Sequence, residues 1–357
     1  MSIEKKGVGA MDSKEGKEKI SYKTEYLTGI RPTGELTIAN YIGAVAPLLD
    51  LQDKRPVVFV ADLHAMTTND PREVIGNVGI VVDSYLAFGL NPEKVEIFVQ
   101  SGIESEVNMM AKVLRPLISV AEAIRQPALK DKVSDPTKAN MDLLHYPVDM
   151  AADILLQDSH FIPVGDDQRA HVEISKVMAR RLNERFGPVV AIPELYLVKE
   201  PPRIKALRKV DGKVVKMSKS QPELAILMTD SPVIVRKKIM QAETGFEGEK
   251  ANPLIESLAE MAEATVPFKE RDSVSAELSE FISKHEAGEK VMGGFKKRVA
   301  QITADFVDQF QQKRANIDPR IKKELLSRGE KKARYNAREV LQRLFDVGAI
   351  SPLAKFW

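Results

Sequence analysis

Thr24-Glu25-Tyr26-Leu27-Thr28-Gly29-Ile30-Arg31-Pro32-Thr33-Gly34-Glu35-Leu36-Thr37-Ile38-Ala39-Asn40 is the stretch from which the fold can be read. Thr24 to Ile30 reads as a short strand ending in a turn. Pro32 and Gly34 then mark a loop. From Thr37 the apolar residues Ile38, Tyr41, Ile42, Val45, Leu48 and Leu49 recur at spacings of three and four, so a helix follows with Thr37 as its N-cap. Strand, glycine-containing loop and helix N-terminus together present free backbone N–H groups to a phosphate or an adenine.

Working outward, Pro56 to Ala61 is a continuous apolar run, as expected of a buried parallel strand, and it ends at Asp62-Leu63-His64. Asn69-Asp70-Pro71 caps a helix reaching Phe88, and Val95 to Val99 is a third strand. Strands alternating with helices predict an α/β fold, a doubly wound parallel sheet. Between about 104 and 145 the alternation breaks, which reads as an insertion. It then resumes with a helix over Val148–Gln157, a strand over Phe161–Val164, a helix over Gln168–Phe186 closed by Gly187-Pro188, and a strand over Val189–Ile192. Beyond Ser231 only helical patterns remain. The expected organisation is therefore a disordered tail over 1–21, a catalytic α/β domain over 22–228, and an all-helical C-terminal domain over 229–357. Lys313 to Arg343 holds eleven Lys or Arg against four Asp or Glu. A solvated helix face and a phosphate-binding stripe are both open for it.

Apolar residues make up 43% of the 357 positions and charged residues 29%, as in a globular protein. The net charge of +2 balances 53 basic against 51 acidic residues, so bulk charge points to no nucleic-acid partner by itself. The absence of cysteine removes disulfides, thiolate catalysis and cysteine zinc sites, and it suits the cytoplasm. No apolar run reaches the ~20 residues needed to span a bilayer, so no membrane association is expected. Asp149 and Asp153 are four apart with His145, Asp158 and His160 nearby. Without paired His spacing or Cys, no metal site is expected there. Asp149, early in a helix starting near Pro147, reads as a partner of the helix dipole.

One further stretch carries chemistry. Lys216-Met217-Ser218-Lys219-Ser220 packs two ammonium groups and two hydroxyls into five residues after an Asp211-Gly212 turn. A solvated basic loop is the ordinary reading of such a pentamer. Mobile, strongly hydrated ammonium groups also suit a polyanion whose charge moves during reaction, such as a triphosphate losing pyrophosphate. KMSKS is the second signature of the class I aminoacyl-tRNA synthetases, whose first signature HIGH is commonly TIGN in the tryptophanyl family and is TIAN here, at Thr37 to Asn40. With Tyr41-Ile42-Gly43-Ala44, Asp62-Leu63-His64-Ala65, Met150-Ala151-Ala152-Asp153-Ile154-Leu155 and Pro163-Val164-Gly165-Asp166-Asp167-Gln168 in this order, the chain resembles the tryptophanyl-tRNA synthetase family from Leu27 to about Phe345.

That resemblance implies a Rossmann-like nucleotidyltransferase fold and an enzyme that activates L-tryptophan with ATP and Mg²⁺, then charges tRNA(Trp). It also implies a homodimer whose helical domain meets the anticodon region. Lys216 and Lys219 would hold the departing phosphates, and Thr37 and Asn40 would meet the triphosphate. Arg31, Pro32, Thr33, Ala39, Ile204, Met217, Ser218 and Ser220 would border ATP, and Gly165, Asp166 and Asp167 its ribose. Met150 and Asp153, three apart on one helix face, would read the indole, Asp153 by accepting its N–H. Leu27, Lys130, Tyr146 and Gln168 would complete the tryptophan site. Tyrosyl relatives usually carry Gln where Met150 stands. Three positions depart from the family pattern: Ala39 for Gly, Arg31 for Gln, and Leu27 for an aromatic residue. The rival readings are tyrosine activation, a non-catalytic paralogue and a small-molecule nucleotidyltransferase of the same superfamily.

Overall fold

Five strands, β1 (Thr24–Ile30), β2 (Val57–Val60), β3 (Glu96–Val99), β4 (Ser159–Val164) and β5 (Glu194–Leu197), form a single sheet in the computed structural model. The structure describes residues 20–126, 140–165, 169–197, 201–250 and 252–350. Every pairing is parallel, in the order β3-β2-β1-β4-β5. Parallel neighbours need crossover connections, and the helices supplying them cover both faces. The chain adds β2 and β3 on one side of β1, then β4 and β5 on the other. The order therefore reverses between β1 and β4, where ligands bind beyond the carboxyl ends of the strands in sheets of this kind.

Described helices are α1 (Ile38–Asn40), continued by a π turn over Tyr41–Val45 into α2 (Ala46–Leu51), then α3 (Asp62–Met66), α4 (Pro71–Ala87), α5 (Glu104–Leu114), α6 (Val120–Ile124), α7 (Met141–Leu155) and α8 (Arg169–Phe186). Helices α9 (Pro232–Met240), α10 (Pro253–Thr265), α11 (Phe268–Glu286), α12 (Met292–Ala315) and α13 (Pro319–Asp346) follow. Alternation along each strand sorts the core into two clusters. Val58, Val60 and Ile97 join Ile30 and the inner faces of α4 and α9–α12 in one. Val57, Phe59 and Phe98 join Leu27 and the inner faces of α5, α7 and α8 in the other. Among the described helices none is long and apolar enough to cross a membrane.

Two sequence-based expectations need correction. Val189–Ile192 forms no strand. Its backbone is satisfied by side chains instead, with the N–H groups of Val189 and Val190 donating to Asn183 Oδ1 and that of Ala191 to Asp158 Oδ1. Helix α7 starts at Met141 under an Asn140 cap and carries Pro147 inside it, so Asp149 lies mid-helix and is no dipole partner. Burial instead pushes its carboxyl up. Helix α11 buries few of its residues, Val274, Leu278 and His285 among them.

Part of the basic stretch is anchored on carboxylates of the α/β core, while Arg320, Lys323, Lys331 and Lys332 stay exposed. Helix α13 turns back onto β3, the end strand of the sheet. Arg328 pairs with Glu96 at 2.9 Å and also donates to the Val95 carbonyl, while Arg334 and Arg338 pair with the buried Glu106. Arg343 reaches Asp158 at 2.6 Å, a carboxylate with no exposure at all. Charge-assisted bonds of this kind are about twice as strong as neutral ones, and here they fasten a helix over an edge that would otherwise be open.

Candidate active site

At the carboxyl end of β1 the chain enters the loop 31–36, and Thr37 opens α1. Thr37 Oγ accepts from the Asn40 N–H at 3.2 Å, while Asn40 Oδ1 accepts from the Thr37 N–H at 2.9 Å and from its hydroxyl at 2.9 Å. This reciprocal capping box holds Thr37 buried at 2% exposure. Asn40 is exposed and keeps its Nδ2 group free of the box. Ala39, the residue in place of the family glycine, is half-buried and packs against the first core cluster.

The lysine-rich stretch sits beside this turn. Asp211 and Gly212, with φ of 49° and 73°, reverse the chain. The Ala206 N–H then donates to Val215 O at 2.9 Å, and the Met217 N–H to Ile204 O at 2.9 Å. Met217 and Ile204 are buried, at 3% and 2% exposure, and Lys216, Ser218, Lys219 and Ser220 are exposed. Apolar anchors inside and ammonium groups outside are what a phosphate clasp needs. The Lys219 ammonium reaches across to the Thr33 carbonyl. The returning chain pairs with the first turn, Ile38 N–H to Ile226 O at 3.0 Å and Met228 N–H to Leu36 O at 2.9 Å. Arg31 and Thr33 are exposed on the same loop, with Pro32 buried.

A second arm of the site is built on α7. Asp153 is 2% exposed, and burial pushes its carboxyl above the usual range, partly offset by His64 and Gln100. Its Oδ2 lies 2.9 Å from His64 Nε2 and accepts from Gln100 Nε2 at 2.7 Å. Its Oδ1 is buried and has no hydrogen-bond partner among the described residues. Tyr146, two turns earlier on α7, packs against His64 with ring centroids 4.5 Å apart. Burial raises the Tyr146 phenol, and the opposing effects of Arg31 and Asp153 on it place all three in one neighbourhood. Met150 packs half-buried against the second cluster. Leu27 belongs to that cluster with 0% exposure, so it is enclosed in the core rather than presented on a pocket wall. Gly165 follows β4 across the switch point, where the Thr28 hydroxyl donates to Pro163 O at 3.4 Å.

Comparison with known proteins adds identity to this geometry. The family profile described as tRNA synthetases class I (W and Y) matches residues 19–309. The chain belongs to this family. A tryptophan–tRNA ligase from Caldanaerobacter subterraneus subsp. tengcongensis is 32% identical over 89% of this chain and 95% of its own. One from Bacillus anthracis is 32% identical over 91% and 97%. Among solved structures, the tryptophanyl-tRNA synthetase of Mycoplasma pneumoniae superposes with a TM-score of 0.76 at 29% identity, covering 92% of this chain and 99% of its own. That of Campylobacter jejuni, complexed with ADP and tryptophan, gives 0.73 at 29%, covering 90% and 98%.

As a class I synthetase the chain is an aminoacyl-tRNA-forming enzyme with both signatures side by side, Lys219 touching the loop that leads into Thr37. Lys130, Asp166, Asp167 and Gln168 lie outside the described residues. Two groups of this synthetase site escaped sequence reasoning, the His64 side chain and Gln100. Topology could have found them: β2 ends at Val60 and β3 at Val99, so the residues that follow both emerge at one end of the sheet. Asp62 ties these ends together by accepting from the Ser101 N–H at 3.0 Å.

Proposed function

We propose that the chain is a tryptophan–tRNA ligase, forming tryptophanyl-adenylate and pyrophosphate from L-tryptophan and ATP, then esterifying the 3′ end of tRNA(Trp). The observation that carries this reading is the buried, unpartnered Oδ1 of Asp153. A buried acceptor without a donor costs stability, and the indole N–H is a donor only. Met150 on the same helix offers an apolar wall, which suits a bicyclic ring better than a phenol that needs polar partners. The relatives matched over most of their length are tryptophan–tRNA ligases, which supports the same choice. ATP–pyrophosphate exchange across the amino acids tests it, and turnover with tyrosine in place of tryptophan would replace this reading.

The reaction asks the protein for position and for charge stabilisation. The carboxylate of the amino acid attacks the α-phosphorus, the bond to the bridging oxygen breaks, and pyrophosphate leaves with the electron pair. Lys216 and Lys219 would receive that charge, with the Asn40 amide and the α1 N-terminus across from them. The adenine would lie between the Met217–Ile204 pairing and Ala39, and Gly165 would face the ribose. Arg31 and Tyr146 would meet the carboxylate and ammonium of the amino acid. By the same resemblance Mg²⁺ would arrive with the triphosphate. We expect Lys219→Ala to lower kcat for exchange about a hundredfold, the usual effect of removing one group that stabilises developing charge, with the KM for tryptophan little changed. An unchanged kcat would remove Lys219 from the mechanism.

The pH dependence follows from Asp153. Its carboxyl titrates above the ordinary range because it is buried. Protonation therefore begins at a higher pH than for an exposed aspartate, and a protonated Oδ1 no longer accepts. The KM for tryptophan should rise as pH falls through this raised value, while that for ATP stays level. Parallel movement of the two constants would contradict the assignment. By the same resemblance we read the enzyme as a cytoplasmic homodimer, with the region after residue 228 contacting tRNA. Sedimentation tests the dimer.

A further inference from the structure

Gln100, at 1% exposure, is as buried as any polar residue around the site. Its Oε1 accepts from the His64 backbone N–H at 3.2 Å, and its Nε2 donates to Asp153 Oδ2 at 2.7 Å. Only this orientation of the amide satisfies both neighbours, because a backbone N–H can only donate and a carboxylate oxygen can only accept. The same Oδ2 lies 2.9 Å from His64 Nε2. In the His64 tautomer that carries its proton on Nε2, one carboxylate oxygen takes two donors, and the other takes none from the described residues.

We propose that Gln100 is a positioning residue for amino-acid selection, fixing through Asp153 and His64 which carboxylate oxygen faces the substrate ring and keeping that oxygen an acceptor. The inference rests on the reading of Asp153 as the indole partner. Two donors on Oδ2 disfavour a proton there. They also hold the plane of the carboxylate, since turning it away from this orientation breaks both bonds. Gln100 further holds the His64 backbone, so the imidazole arrives at Oδ2 already aligned. A site arranged in this way rejects a ring that lacks the N–H, because the acceptor is then left buried and unpaired.

The test compares tryptophan with its isostere in which sulfur replaces the ring N–H, 3-benzothienylalanine, in ATP–pyrophosphate exchange. Wild type, Asp153→Asn, Gln100→Leu and Gln100→Glu are measured together. Wild type should prefer tryptophan by about a hundredfold, the range of a hydrogen bond to a charged group. Gln100→Leu should lower that preference by about tenfold or more, while the KM for ATP holds. In Gln100→Glu two carboxylates face each other and compete for one proton, so the KM for tryptophan should rise with increasing pH, opposite in sign to wild type. A merely structural role would weaken both substrates equally and leave the sign of the pH profile unchanged. A Gln100→Leu enzyme that keeps the wild-type preference overturns the proposal and leaves the tryptophan reading standing. A wild type with no preference overturns both. If Gln100→Leu fails to fold, the pH profile of Gln100→Glu decides alone.

Discussion

Replacing Asp153 by alanine should lower kcat/KM for tryptophan about a thousandfold, about 4 kcal/mol, while the KM for ATP changes little. The magnitude has two sources. The indole N–H loses a charged acceptor, and His64 Nε2 and Gln100 Nε2, both directed at Oδ2, lose theirs inside the protein. Removing one partner from a buried charged cluster costs about 3–5 kcal/mol. Asp153→Asn should not restore function. Its single carbonyl oxygen would be claimed by the two donors, and its amide would then point a donor at the indole N–H. The check is steady-state exchange at varied tryptophan and varied ATP. An equal rise of both KM values would mean that the carboxylate shapes the site as a whole and does not read the ring.

Gly329→Ala should destabilise the fold by about 4 kcal/mol, at the upper end of single substitutions. A Cβ at position 329 would lie 2.0 Å from the Ile97 carbonyl oxygen and 2.9 Å from its nitrogen. Both atoms are backbone of β3, which cannot rotate away as a side chain can. Either the last helix lifts or the end strand bends, and each breaks the ion pairs of Arg328 and Arg334 made on either side of the contact. Denaturant unfolding measures the loss. Gly79→Ala is the control, because its Cβ would come no nearer than 3.8 Å to the Lys322 ammonium. A Gly329→Ala protein as stable as that control would show that the helix is not held at this distance in solution.

Much of the fold was legible because its signals are local. The continuous apolar runs at Val57–Val60 and Ile97–Val99, the Thr37 cap and the helical spacing after it depend only on neighbours in sequence. The Asp211-Gly212 reversal is equally local, needing positive φ at both residues. Failures came where distant groups decide. Val189–Ile192 looks like a strand by composition, yet Asn183 and Asp158 supply its hydrogen bonds. The arginines of the last helix show in the sequence only as a run of charge. Their carboxylate partners lie at Glu96, Glu106 and Asp158, far away along the chain, and no window of sequence contains both members of a pair.

The sequence by itself determined the parallel α/β sheet and the class of chemistry, because strand hydrophobicity, capping and the two family signatures are written in short consecutive runs. Only the tertiary structure decided that Lys219 meets the Thr33 loop, that the last helix closes the sheet edge at Gly329, and that Asp153 keeps one oxygen free while Gln100 and His64 occupy the other. Those three facts depend on which strand ends lie side by side. That is set by the burial of apolar faces over the whole chain and by no local pattern.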